Sequence, residues 1–187
     1  MNVALRRTMT LDDFLAWEAK QPRKYEFDGF RPVPMADVTM AHSTIATNLT
    51  AELGGRLRGK PGRAYGSLLK ILVAGHVRYP DAFVACTRVS NDATWITDPV
   101  VVFEVLSQNT ALTDCTTKNV EYRDTPSIRR YVTLSSESIA AIIYERMGDH
   151  WVGTLVTDPA AVLAMPEIGI ELPLAALYDG LEFDAPG

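Results

Sequence analysis

Apolar positions recur along this chain with two different spacings, and their alternation predicts an α/β organisation. Thr10 is an N-cap type of residue ahead of Leu11–Lys20, and Asp12 and Asp13 stand where the positive end of a helix dipole favours acids. Gln21-Pro22 ends that helix. Tyr25-Glu26-Phe27 and Phe30–Val33 flank Asp28-Gly29, a strong hairpin signal. Ile45, Leu49, Leu53 and Leu57 repeat every fourth residue and predict a helix from about Ser43 to Arg58, stopped by Gly59-Lys60-Pro61-Gly62.

Strand patterns follow near Arg63–Val73 and Asp81–Cys86, joined by a turn containing Gly75. Pro80 cannot donate to a ladder, so it marks an edge or the first position of a strand. A loop bounded by Asn91-Asp92 and Asp98-Pro99 leads into an apolar strand over Val100–Ser107. A helix from about Thr110 to Arg123 is expected next, then strands near Arg130–Leu134, Ile139–Glu145 and Trp151–Leu155, the last two joined at Gly148-Asp149. Pro159, Pro166 and Pro173 divide the tail into short pieces, with one helical turn at Leu174–Tyr178. The pattern predicts one domain over residues 1–187, an α/β (α+β) fold with a mixed sheet and helices packed on it.

The strand over Val100–Ser107 carries one acid, Glu104, in an otherwise uncharged run suited to burial on both sheet faces. A carboxylate stranded there costs several kcal/mol in order-of-magnitude terms unless a metal, a cation or a proton compensates it. Candidate partners exist on both sides. Asp81 precedes another apolar strand 23 residues earlier, and Lys118 follows 14 residues later in a predicted helix. Two carboxylates on neighbouring strands offer hard oxygen ligands of the kind Mg²⁺ or Mn²⁺ takes. Asp114, Lys118 and Tyr122 stand at i, i+4 and i+8, on one helix face. A lysine near such a pair can steady a phosphate or orient an attacking water, whose pKa the metal lowers.

Composition narrows the field. With 47% hydrophobic and 22% charged residues the chain is ordinary globular protein. No apolar run approaches the ~20 residues of a membrane helix. Arg6 and Arg7 have no apolar stretch behind them, so no secretory signal is expected. Cys86 and Cys115 are too few for a disulfide framework, and free thiols in the cytoplasm are the expectation. The net charge of −5 argues against a generic nucleic-acid coat protein, but not against an enzyme using metal ions.

Read in order, Tyr25-Glu26-Phe27-Asp28-Gly29, His42, Arg78-Tyr79-Pro80-Asp81, Glu104-Val105-Leu106-Ser107, Asp114, Lys118 and Tyr122 resemble the Uma2 family, described as putative restriction endonucleases within the PD-(D/E)xK nuclease superfamily. The resemblance spans about Met9 to Phe183. It implies a restriction-endonuclease-like core with flanking helices and a metal site at one sheet end. Asp81 and Glu104 would match the superfamily's metal-binding pair, and Glu26 a further acid contributed from near the N-terminus. Leu106 stands where the superfamily's usual lysine would be, and Lys118 matches a lysine moved to the following helix. Ser107-Gln108-Asn109-Thr110 and Arg129-Arg130-Tyr131-Val132 depart from the family's commoner sequences at those places.

The expected function is Mg²⁺- or Mn²⁺-dependent hydrolysis of DNA, with Asp81, Glu104, Lys118 and Glu26 catalytic, Asp81, Glu104 and Glu26 holding the metal and its water, and His42, Asp114 and Tyr122 in support. A homodimer would let a one-site domain cut both strands. Each residue also has a plainer reading. Glu104 and Lys118 fit a structural ion pair, Asp81 turn chemistry, Glu26 a hairpin surface charge, and His42 a locally satisfied helix-start residue. Tyr122 fits a packing residue with a wet hydroxyl, and Asp114 a surface partner of Lys118. Trp17, Trp95 and Trp151 read as packing residues. The alternative for the whole chain is a non-catalytic domain keeping the nuclease fold for binding or assembly. A hydrolase of another phosphate ester is a third reading.

Overall fold

The structure is a computed structural model that describes residues 8–107 and 114–183, with Asp114 and Cys115 described by their backbone alone. The first helix, α1 (Leu11–Glu18), starts where the sequence places it, on a capping box in which Thr10 and Asp13 exchange side-chain and backbone hydrogen bonds. It ends two residues before the expected Lys20. The hairpin β1 (Tyr25–Phe27) and β2 (Pro32–Pro34) closes through a four-residue loop. In that loop Asp28 Oδ1 accepts the N–H groups of Phe30 and Arg31, and Gly29 takes φ +87°.

Helix α2 (Met40–Arg56) begins three residues earlier than the apolar spacing suggests, because Thr39 Oγ1 accepts the N–H of His42 and serves as its cap. Its Ile45, Leu49 and Leu53 are fully buried. The run Arg63–Val73, expected as one strand segment, divides into β3 (Arg63–Gly66) and β4 (Lys70–Val73), which belong to different sheets. A turn closed by Leu69 N–H donating to Gly66 O redirects the chain between them. Two further strands lie where turn and loop were expected: β5 (His76–Arg78), paired with β4 across the Ala74-Gly75 turn, and β7 (Trp95–Ile96), after β6 (Ala82–Ala85).

β8 (Pro99–Leu106) is the apolar strand, and it lies at the middle of a six-stranded sheet. A π-helical turn (Asp114–Lys118) leads into α3 (Asn119–Asp124), in place of the single regular helix expected over Thr110–Arg123. Residues 110–113 of that expectation lie outside the described residues. Then come β9 (Arg130–Ser135), β10 (Ala141–Met147) and β11 (His150–Val156), the last two joined by Gly148-Asp149 as expected. The tail forms a hairpin, β12 (Val162–Met165) with β13 (Ile170–Pro173), before α4 (Leu174–Leu177). Prolines hid it in the sequence: Pro166 sits in its turn and Pro173 at the last residue of its edge.

The larger sheet has the order β11-β10-β9-β8-β6-β3, parallel between β8 and β9 and antiparallel elsewhere. The smaller one runs β2-β1-β5-β4-β7. Because side chains alternate along β8, Val101, Phe103 and Val105 face a core shared with α2, the tail hairpin and α4. Val102 faces the other core, built with Tyr122, Tyr131 and with Ile71 and Ile96 of the smaller sheet. A third cluster joins Phe14 of α1 to Phe27, Val77 and Tyr79. The mixed α+β fold is therefore present, with two main sheets in place of one. Among the described residues no helix is long and apolar enough to cross a membrane.

Candidate active site

Glu104 shares its sheet face with Val102, so its carboxylate points to the side of β8 where α3 lies. It is buried, with only 4% of its surface exposed. Two helix residues meet it: Lys118 Nζ donates to Glu104 Oε1 at 3.1 Å, and the Tyr122 hydroxyl donates to the same oxygen at 2.7 Å. The i, i+4 spacing of Lys118 and Tyr122 brings both to one acid. Tyr122 is fully buried, so its hydroxyl is held by Glu104 and is not wet. Burial first, and then the nearby Glu104 charge, push its pKa well above the ordinary tyrosine range, so it remains a neutral donor.

Asp81 immediately precedes β6, whose ladder with β8 begins at Ala82 opposite Phe103. Beyond that pair β6 no longer faces β8, and Asp81 Oδ2 takes over by accepting the Val105 N–H at 2.7 Å. Its other oxygen lies 2.8 Å from His42 Nε2, in the first turn of α2. A strand end and a helix start thus fix one carboxylate through both of its oxygens.

Glu26 lies on β1, where its antiparallel neighbour β5 carries Arg78. It is not a hairpin surface charge. Oε1 accepts the Tyr79 N–H at 3.1 Å and lies 3.3 Å from Lys118 Nζ, while Oε2 accepts from Arg78 Nη1 at 3.1 Å. Burial alone would raise the Glu26 carboxyl. Lys118, Arg78 and the Tyr79 N–H outweigh it and hold the group below the usual glutamate range.

Glu26, His42, Asp81, Glu104 and Lys118 all line one cavity of about 190 Å³. The structure therefore brings together six of the residues singled out in the sequence, Tyr122 behind Glu104 included. The seventh, Asp114, has its side chain outside the described residues. Reading the sequence missed Glu121, which is buried and forked onto Arg78: Arg78 Nε donates to its Oε2 at 2.7 Å and Nη2 to its Oε1 at 2.5 Å. Its signal was there, since Glu121 follows Lys118 at i+3 and so shares its helix face. Among the described side chains, Glu26, Glu104 and Glu121 share two permanent cations, Arg78 and Lys118, and a fourth carboxylate, Asp81, stands beside them on His42 and the Val105 N–H.

The donor set has the chemistry of a hard-cation site: carboxylate oxygens in excess of the positive charge around them. Among the described residues, however, no three His, Cys, Asp or Glu side chains already form a cage for a metal ion. Mg²⁺ is compatible with that arrangement, because it is commonly held by one or two carboxylates, with waters and substrate phosphate completing its shell. Trp17 stacks edge-on against Tyr25 and Trp151 lies under Arg146, away from the cavity.

Comparison with known proteins bears on the family and the fold. The family profile described as "Putative restriction endonuclease" (Uma2) matches residues 11–175. Two uncharacterized proteins of Synechocystis sp. are similar along most of their length. One, slr1290, is 29% identical over 176 residues, covering 92% of each chain. The other, sll1609, is 25% identical over 154 residues, covering 80% of this chain and 87% of its own. The fold matches the crystal structure of a putative nuclease belonging to DUF820 from Anabaena variabilis, with a TM-score of 0.75 at 18% identity, over 90% of this chain and 97% of that one. Since the profile spans nearly all of the described fold, including every residue of the cavity wall named above, the chain belongs to the Uma2 family.

Proposed function

We propose that the protein is a metal-dependent endonuclease that hydrolyses DNA phosphodiester bonds in the cavity between Asp81, Glu104 and Lys118. The observation that carries this reading is the convergence of two strand-borne carboxylates and a buried helix lysine on one cavity. Asp81 and Glu104 would hold Mg²⁺ or Mn²⁺, with Glu26 completing the acidic wall. Such an ion, when bound, draws charge from the phosphate and acidifies a water.

The chain's own residues do the rest. His42 and the Val105 N–H fix the plane of the Asp81 carboxylate. Tyr122 and Lys118 fix Glu104 in the same way. Lys118 presents its ammonium to the cavity, where it stabilises the charge that develops on the phosphate oxygens as water attacks phosphorus. A homodimer completes the proposal, placing one such cavity against each strand of a duplex.

Incubating the protein with DNA and Mg²⁺ or Mn²⁺, beside an Asp81→Ala control, tests the reading. Cleavage that needs the ion and disappears in the variant is the expected result. Equal cleavage by both proteins sinks the assignment. The net charge of −5 favours a second reading, a non-catalytic domain on the same fold. Mn²⁺ that neither binds nor raises the melting temperature would favour that alternative.

A further inference from the structure

In the superfamily pattern the lysine lies two residues after the strand acid, where the sheet ladder itself orients it; here Leu106 occupies that place. Lys118 comes instead from the last residue of a π-helical turn, with no ladder to aim it. A long, flexible side chain on a separate helix needs another constraint to hold its Nζ at one point.

The residues around it form a closed ring. From Lys118 Nζ it is 3.3 Å to Glu26 Oε1, and Glu26 Oε2 lies 3.1 Å from Arg78 Nη1. The other edge of the same guanidinium grips both oxygens of Glu121. Glu121 returns to Lys118 through a single turn of helix. Three ion pairs and one helical turn thus tie β1, β5 and α3 together around the lysine. Arg78 is 2% exposed, so its fork is rigid and screened from water. Glu26 faces two permanent cations, Arg78 and Lys118, whereas both Asp81 oxygens are held by a histidine and one amide, so the Asp81 charge is the less compensated of the two.

We infer that Glu26, Arg78 and Glu121 are positioning residues for Lys118, and that Glu26 serves the lysine and is not a ligand of the divalent ion. The inference rests on the nuclease reading for its purpose, but the ring can be tested without it. Glu26→Gln, Glu121→Gln, Glu121→Asp, Arg78→Lys and Asp81→Asn are compared with the unaltered 187-residue chain.

Mn²⁺ titration by calorimetry separates ligand from positioning residue. Glu26→Gln and Glu121→Gln should keep the Mn²⁺ affinity within about two-fold, and Asp81→Asn should lose at least about ten-fold. Competitive acylation of amines, read by mass spectrometry, reports the ring directly. Lys118 should react more slowly than exposed Lys60, speed up by about ten-fold in Glu26→Gln and Glu121→Gln, and slow again in Glu121→Asp. In DNA cleavage the two glutamine variants should lower kcat by about 10²-fold with KM little changed.

Mn²⁺ binding that Glu26→Gln weakens as much as Asp81→Asn makes Glu26 a ligand and overturns the inference. So does Lys118 labelling that no variant changes. Glu26 borders the cavity, so Glu26→Gln decides the matter even where Arg78→Lys fails to fold. If the unaltered protein cuts no DNA, the nuclease reading falls, while calorimetry and labelling still decide the ring.

Discussion

Two clusters of buried charge lie on either side of Tyr79, and the one that contains Glu26 lines the cavity described above. On one side Lys70 Nζ donates to Glu18 Oε2 at 2.7 Å, and the Tyr79 hydroxyl donates to Glu18 Oε1 at 2.7 Å. One acid there meets one buried lysine, and the pair fastens α1 to β4 across the third core cluster. Lys24 lies over the Tyr79 ring at 4.4 Å and covers the outside. On the other side the Tyr79 N–H donates to Glu26, the first of three carboxylates that share two cations, with Asp81 beside them on the same cavity. Burial of charge alone does not mark a functional site. The distinction is balance: a matched pair closes on itself, whereas an acidic surplus beside a cavity suits an added cation.

Breaking each side in turn should therefore give different phenotypes. The largest effect is on catalysis. Lys118→Ala should lower kcat for DNA cleavage by about 10²–10³-fold, as for loss of a preorganised donor, while Lys70→Ala should leave the kcat of the folded fraction unchanged. Steady-state kinetics on both variants, normalised to folded protein, reads the contrast.

The Glu18–Lys70 pair should show itself in stability. Lys70→Ala leaves Glu18 buried without its ammonium and should destabilise by about 3–5 kcal/mol in urea unfolding. Replacing both partners together, Glu18→Leu with Lys70→Met, should recover most of that loss, because the pair is a clamp that apolar packing can replace.

Acid should weaken both sides at once. Glu18 is also held below its ordinary value of 4.5: burial would raise it, but the Lys70 and Tyr79 hydrogen bonds and the lysine charges prevail. Both Glu18 and Glu26 therefore bind fewer protons folded than unfolded near that pH. Their contribution is fully present above 4.5 and is lost as pH falls through the folded values. Urea midpoints should decline below about pH 4.5 and more shallowly in Glu18→Gln or Glu26→Gln. The smallest effect is local to α1: Thr10→Ala removes half of the capping box and should cost about 1 kcal/mol by the same unfolding measurement.

Much of the site was legible because its chemistry runs against its surroundings. Glu104 stands out in an apolar strand, Asp81 follows a proline at a strand start, and Lys118 and Tyr122 share a helix face. Glu121 was hidden because Arg123 and Asp124 beside it give the helix end the look of a solvated surface; its burial comes from Arg78, on a strand the sequence did not reveal. The fold divides in the same way. Long apolar runs such as β8 and the fourfold repeat of α2 were readable from local pattern alone. β5 and β7 are short, three and two residues, and exist through pairing with β4, which no local period records. The division of Arg63–Val73 between two sheets likewise depends on a turn without proline, and the tail hairpin on prolines placed where they interrupt no ladder.

A structure of the protein soaked in Mn²⁺ tests the central claim most directly. The account predicts an anomalous peak in the cavity, with carboxylate oxygens of Asp81 and Glu104 at about 2.0–2.6 Å from the ion and no peak at Glu18. A cavity that stays empty at saturating Mn²⁺, or an ion bound elsewhere with Asp81 and Glu104 unmoved, would contradict it.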